Sequence, residues 1–184
     1  MKTAFIFHGS GGNPQGNWFP RLKAKLEEKR YRVFVPQFPT PEGQSLETWF
    51  KVFKNYSEHM GRDSILIGHS LGGVFLLKLL ETLAAPVNIA AFIGTPIGIQ
   101  PIRNYDSDFA FAAFNFAWSN IRAKARCFIV FQSDNDPYVG LANGEKLAKE
   151  LGVSLSFIPN AGHLNAESGY TKFVELWSRL QSFL

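Results

Sequence analysis

The run Gly68-His69-Ser70-Leu71-Gly72-Gly73 constrains this chain more than any other stretch. A β-rich apolar run, Ser64-Ile65-Leu66-Ile67, leads into it, and a helical run from Val74 to Leu83 leads out. Gly-x-Ser-x-Gly in that setting predicts a nucleophile elbow, a sharp strand-to-helix turn that lifts a serine hydroxyl clear of its own backbone. The glycines are a steric requirement, because a β-carbon at either flank of so tight a turn would strike the neighbouring strand or helix. With 16 Gly and 13 Ser in 184 residues, the five-residue pattern arises by chance in about one such chain in ten. The strand before it and the helix after it are what give it weight.

Short β-rich runs alternate with helical ones along the rest of the chain. Strands are predicted at Thr3–His8, Arg32–Pro36, Ile65–Ile67, Ala91–Ile93, Cys127–Phe131 and Leu155–Ile158. Helices are predicted near Trp18–Lys29, Leu46–Tyr56, Leu71–Leu83, Phe109–Ile121, Ala142–Leu151 and Tyr170–Phe183. In the second of these, Leu46, Trp49, Phe50 and Phe53 share one face. The rhythm predicts an α/β fold, a mostly parallel sheet of about six strands with helices on both faces. Its length suits one domain spanning residues 1–184.

Composition narrows the class further. At 46% hydrophobic and 18% charged, the chain has the make-up of a soluble globular protein. The longest apolar candidate for a membrane span, Val74 to Leu83, is interrupted by Lys78 and Glu81, so no membrane association is expected. Met1 to Gly9 is too short in its apolar part for a secretory signal and is expected to be a first strand, which places the chain in the cytoplasm. The single Cys127 excludes an internal disulfide and cysteine-based zinc motifs, and its apolar setting predicts a buried structural thiol. Between Arg21 and Arg32 six basic residues face Glu27 and Glu28, which accounts for the whole net charge of +4. Such a cluster is expected as the solvated face of a helix, with no nucleic-acid partner.

In a parallel sheet, ligands sit at the carboxyl ends of the strands. The residues there are His8-Gly9-Ser10-Gly11-Gly12, Ser70, Gly94-Thr95-Pro96, Ser133-Asp134-Asn135-Asp136 and Asn160-Ala161-Gly162-His163. A serine hydroxyl needs a general base, and the base needs a carboxylate to fix its tautomer. In elbow-type hydrolases the chain order is serine, acid, histidine. His163 is the one histidine that follows His69. Asp136 is the preferred acid, because Pro137 holds it extended, and Asp134 is the alternative. The oxyanion of a tetrahedral intermediate then calls for two N–H donors: Leu71, after the nucleophile, and Ser10 in the first loop, with Gly11 behind it. His8 is expected beneath that loop, Gly9 and His69 beside the site, and His59 on the surface. No histidine pair has metalloprotease spacing, so neither a metal nor a dissociable cofactor is expected.

Four stretches carry a family resemblance: His8 to Pro14 with Asn17 to Pro20, Gly68 to Gly73, Ser133 to Val139, and Ala161 to Asn165. In these the chain resembles the α/β-hydrolase superfamily and, within it, the small serine hydrolases of the retinoblastoma-binding protein nine and YdeN family. The resemblance implies a trimmed core with little or no cap, and a triad on Ser70, Asp136 and His163. Two departures stand out: Gly140 after Val139, where proline is common, and the phenylalanine-rich segment from Phe109 to Trp118. The expected activity is hydrolysis of small carboxylic esters, thioesters or amides through an acyl-enzyme. Trp18, Phe19 and the phenylalanine-rich segment would then stand near the mouth of the site or, at least as readily, in the core. An acyltransferase uses the same triad. An interaction module that docks partners on residues 109–118 is the alternative from a different class.

Overall fold

The computed structural model describes residues 2–184. Among them are six strands: β1 (Thr3–Phe7), β2 (Arg32–Phe34), β3 (Ile65–His69), β4 (Val87–Ile93), β5 (Ala125–Gln132) and β6 (Ser156–Phe157). They form one sheet in the order β2-β1-β3-β4-β5-β6, with every pairing parallel. The helices are α1 (Phe19–Glu28), α2 (Leu46–Phe53), α3 (Leu71–Thr82), α4 (Tyr105–Ala112), α5 (Trp118–Arg122), α6 (Leu141–Leu151) and α7 (Val174–Gln181).

The period-two alternation of a strand sends neighbouring side chains to opposite faces, and two cores result. Phe5, Phe7, Leu66 and Phe92 join Trp49 of α2, Leu76 of α3, Ile121 of α5 and Leu147 of α6 on one face. Ala4, Ile6, Ile65 and Ile67 join Leu22 and Leu26 of α1 and Leu176 and Leu180 of α7 on the other. The step from β1 to β2 runs one way along the sheet, and every later step runs the other way. A constant handedness of crossover therefore puts α1 on one face and α2 to α6 on the opposite one.

Trp49 anchors the larger core. Its ring stacks on Phe38 with centroids 4.4 Å apart, meets Phe75 and Phe111 edge-on, and its Nε1–H donates to the Pro39 carbonyl at 2.9 Å. A Ser45–Thr48 capping box starts the helix that carries it. Leu46 and Phe50 complete the apolar face as partly buried neighbours.

The single helix expected over Phe109–Ile121 is two. Helix α4 begins earlier, at Tyr105, and ends where Ala113 and Phe114 turn left-handed. In one continuous helix Phe111 and Phe116 would point about 140° apart. The break lets both enter the same core. Further expectations resolve or change. Trp18 and Phe19 are fully buried, which selects the core placement of the two expected. Cys127 is half-buried. His59 is half-buried too, stacked on Phe34 at 4.9 Å. The last helix starts at Val174, because Tyr170 still belongs to the preceding loop, its N–H donating to the Asn165 carbonyl at 2.9 Å. No helix among the described residues is long and apolar enough to cross a membrane.

A Gly68→Ala β-carbon would lie 2.6 Å from the Gly72 carbonyl and the Gly73 backbone, whereas one at Gly61 would meet nothing within 4 Å. Urea denaturation should show Gly68→Ala destabilised by about 3 kcal/mol or more and Gly61→Ala by less than about 1 kcal/mol.

Candidate active site

The strand order reverses between β1 and β3, and their carboxyl ends open a crevice at that switch point. Gly9 leaves β1 there and Ser70 leaves β3. The two approach so closely that a β-carbon on Gly9 would lie 2.7 Å from the Ser70 β-carbon. Ser70 has φ 54° and ψ −126°, a backbone conformation worth roughly 1–3 kcal/mol of strain for a non-glycine residue. The strain is held in place from both sides. The Ser70 N–H donates to the Ile93 carbonyl at 2.8 Å, and the Gly73 N–H donates to the Ser70 carbonyl at 2.9 Å. Behind the turn, Gly72 lies against the Phe7 and His8 carbonyls and Gly73 against the Thr95 hydroxyl, too near for any side chain.

Ser70 and His163 line one cleft of about 250 Å³, together with Gly9, Ser10 and His69. His163 Nδ1–H donates to Asp136 Oδ2 at 2.7 Å. His163 Nε2 makes no hydrogen bond among the described residues and is the nitrogen left to accept a proton. Asp136 receives three more donors: Gln132 Nε2 at 3.2 Å on the same oxygen, and the Tyr138 and Val139 N–H groups at 2.9 and 3.1 Å on the other. Asp134 is turned elsewhere, accepting the Asn160 N–H at 2.8 Å. It belongs to a clamp in which Ser133 accepts the Ala161 N–H at 2.9 Å and Asn135 the Gly162 N–H at 2.7 Å. Three consecutive side chains after β5 thus hold three consecutive amides of the loop that presents His163.

The loop after β1 is equally well fixed. His8 is fully buried behind the cleft wall. The Phe38 N–H donates to its Nε2 at 3.0 Å, so Nδ1 carries the proton and donates to the Gly9 carbonyl at 2.9 Å. Burial lowers its pKa and keeps it neutral. Ser10 anchors its hydroxyl on Gln44 at 2.8 Å, and its N–H has no partner among the described residues. The Gly11 N–H, by contrast, donates to the Thr40 hydroxyl at 2.8 Å. Leu71 opens α3 at the first helical position, where an N–H has no intrahelical acceptor.

His69 does more than line the cleft. A carbonyl only accepts, so its Nε2–H donates to the His163 carbonyl at 2.9 Å, and the two rings stand 4.7 Å apart. Desolvation in first place, with the charge of His163 second, pushes its pKa down from 6.5 to about 3. Trp18 Nε1–H donates to the Leu164 carbonyl at 3.0 Å and steadies the same loop from below. Gly94, with φ 56°, passes under the histidine, and a β-carbon there would sit 3.1 Å from its ring.

Gln132, Gly94, Ser133, Asn135 and Trp18 were not singled out in the sequence as site supports. Only the polar strand ends hinted at three of them, Gly94, Ser133 and Asn135. Among the described residues no cluster of three or more His, Cys, Asp and Glu side chains could hold a metal ion.

An all-parallel doubly wound sheet with a strained serine after its third strand is the α/β-hydrolase fold. Residues 4–182 match the family model described as serine hydrolase, and the chain belongs to that family. It is 24% identical to YdeN of Bacillus subtilis (strain 168) over 185 residues, covering 99% of this chain and 96% of YdeN. It is 25% identical to the serine hydrolase RBBP9 of Rattus norvegicus over 188 residues, covering 98% and 95%. The crystal structure of the B. subtilis ydeN gene product superposes with a TM-score of 0.91 at 23% identity, over 100% of this chain and 98% of that one. The esterase domain of a Rhodothermus marinus protein does so with a TM-score of 0.68 at 20% identity, over 96% and 86%. The chain is therefore an enzyme of the serine hydrolase family.

His69 stays neutral in the native state down to about pH 3, while the unfolded chain takes up a proton near 6.5. The unfolded state thus binds more protons between these values, and acidification through them costs stability. Asp108, raised by burial from 3.8 to about 6, acts with the opposite sign and cancels in a comparison of variants. Between pH 7.5 and 5.0, His69→Gln should lose less stability than the wild type, by up to about 2 kcal/mol in urea midpoints.

Proposed function

We propose that this chain hydrolyses small carboxylic esters, with thioesters and small amides as related substrates, through a covalent acyl-enzyme. Ser70 Oγ attacks the substrate carbonyl while His163 Nε2 takes its proton. The negative charge that develops on the carbonyl oxygen is received by the N–H groups of Leu71 and Ser10. The tetrahedral intermediate collapses, the C–O bond to the alcohol breaks, and His163 returns the proton to the leaving oxygen. Water then attacks the acyl-serine with His163 again as base, releasing the carboxylic acid and restoring Ser70. Asp136 holds the imidazole in the tautomer that leaves Nε2 open and stabilises the imidazolium between steps.

The observation that carries this reading is the 2.7 Å bond between His163 Nδ1–H and Asp136, in a cleft shared with a strained Ser70. The four donors on Asp136 support its role as the orienting acid, and the unpaired N–H of Ser10 supports its role as the second oxyanion donor. The resemblance to an esterase domain supports the ester as the scissile group. The phenylalanine-rich segment offers little for a docking role, because Phe111 and Phe116 are core and only Phe109 is strongly exposed.

A fluorophosphonate probe should label the wild type and leave Ser70→Ala unlabelled; an unlabelled wild type would sink the assignment. On 4-nitrophenyl esters, Asp136→Asn should lose about 10⁴ in kcat, because the amide presents a donor where the imidazole needs an acceptor. Asp134→Asn keeps an oxygen for the Asn160 N–H and should stay within about tenfold of wild type. The reverse order would move the acid to Asp134.

A further inference from the structure

We propose that Asp108 is a recognition site for a positively charged group on the substrate, so that the cleft takes cationic esters in preference to neutral ones of the same shape. This rests on the ester hydrolysis proposed above and adds the class of substrate.

Asp108 lies on α4 and lines the same cleft as Ser70 and His163, with 7% of its surface exposed. Among the described residues no side-chain hydrogen bond and no ion pair reaches its carboxylate. Buried polar groups are almost always paired, and a buried charge above all. The Asp108 carboxylate opens into the cleft, with the charge of His163 nearby but no hydrogen-bonded partner in the chain, and is free to pair with a group bound there. Helix electrostatics does not account for the residue. Asp106 already places a negative charge in the first turn of α4 from an exposed position, with no loss of hydration.

The surroundings have the matching sign. The cleft wall carries Glu167 as a second carboxylate, its Oε2 accepting the Tyr138 hydroxyl at 3.2 Å, and it carries neither Lys nor Arg. This is a locally acidic site in a chain of net charge +4. A neutral hydroxyl could satisfy one lone pair of Asp108 but would leave its charge buried, whereas an ammonium satisfies both. Burial raises the Asp108 carboxyl to about 6, so at pH 8 it is ionised and poorly hydrated, the state that gains most from an arriving cation.

The test uses two pairs of isosteric substrates at pH 8. One pair puts the charge on the acyl side, the 3-aminopropanoyl and butanoyl 4-nitrophenyl esters. The other puts it on the alcohol side, acetylcholine and 3,3-dimethylbutyl acetate. Each kcat/KM is divided by the rate of hydroxide hydrolysis, which removes the inductive effect of the ammonium. The cationic member should be favoured at least tenfold in one pair, and Asp108→Asn should reduce that ratio about tenfold or more. Asp108→Glu, which keeps the charge, should retain more of the preference than Asp108→Asn. A wild-type ratio near one in both pairs would overturn the proposal even if neither variant folds. A ratio unchanged in Asp108→Asn but abolished in Glu167→Gln would overturn it as well. Either result with fluorophosphonate labelling intact leaves the serine chemistry standing, whereas absence of labelling and of all turnover counts against the ester-hydrolase assignment itself.

Discussion

The close approach of β1, β3 and the start of α3 is the constraint on which the rest of the structure depends. Ser70 can hold its positive φ only because no side chain stands at Gly9, Gly68, Gly72 or Gly73. The elbow places the serine where the sheet order reverses, and the same contacts bring the first loop alongside it. The local strain of one residue is offset by the packing of two strands and a helix around it. A fold with bulkier contacts at these points would relax the turn and withdraw the hydroxyl.

Burial sorts the three histidines near the cleft into different roles. His8 and His69 are removed from water and kept neutral, and each uses its ring as a fixed hydrogen-bond spacer between backbone segments. His8 ties the first loop to the segment after β2, and His69 ties the elbow to the histidine loop. His163 alone combines a carboxylate on one nitrogen with an open cleft on the other. Chemical identity is the same in all three, and environment divides the labour.

The loops after β5 and β6 work as one unit. Ser133, Asp134 and Asn135 clamp the chain ahead of His163, and Gln132 and the Tyr138 and Val139 amides fix Asp136. The loop after β5 therefore fixes Asp136 and also holds the segment that presents His163, which orients that imidazole although it stands in an irregular segment. Helix α4 supplies the remaining wall and brings an unpaired carboxylate to it. Its left-handed stop at Ala113 also lets the phenylalanines beyond it return to the core.

Much of this was legible in the chain because it is written in local terms. Six strands and the doubly wound order of layers follow from the alternation of short β-rich and helical runs. The glycines around Ser70 announce the turn, since only they tolerate its contacts. His163 and the pair Asp134 and Asp136 could be located by their places after strands. Which of those two carboxylates lies beside the imidazole, 27 residues away, is set by the tertiary structure. The bond from the Gly11 N–H to Thr40, the support from Gln132 and Gly94, and the burial of Trp18 beneath the histidine loop likewise depend on contacts the local sequence does not announce. Hydrophobic period and turn chemistry are properties of neighbours along the backbone. Hydrogen-bond partnership and desolvation belong to neighbours in space, and those existed only once the sheet had closed its order.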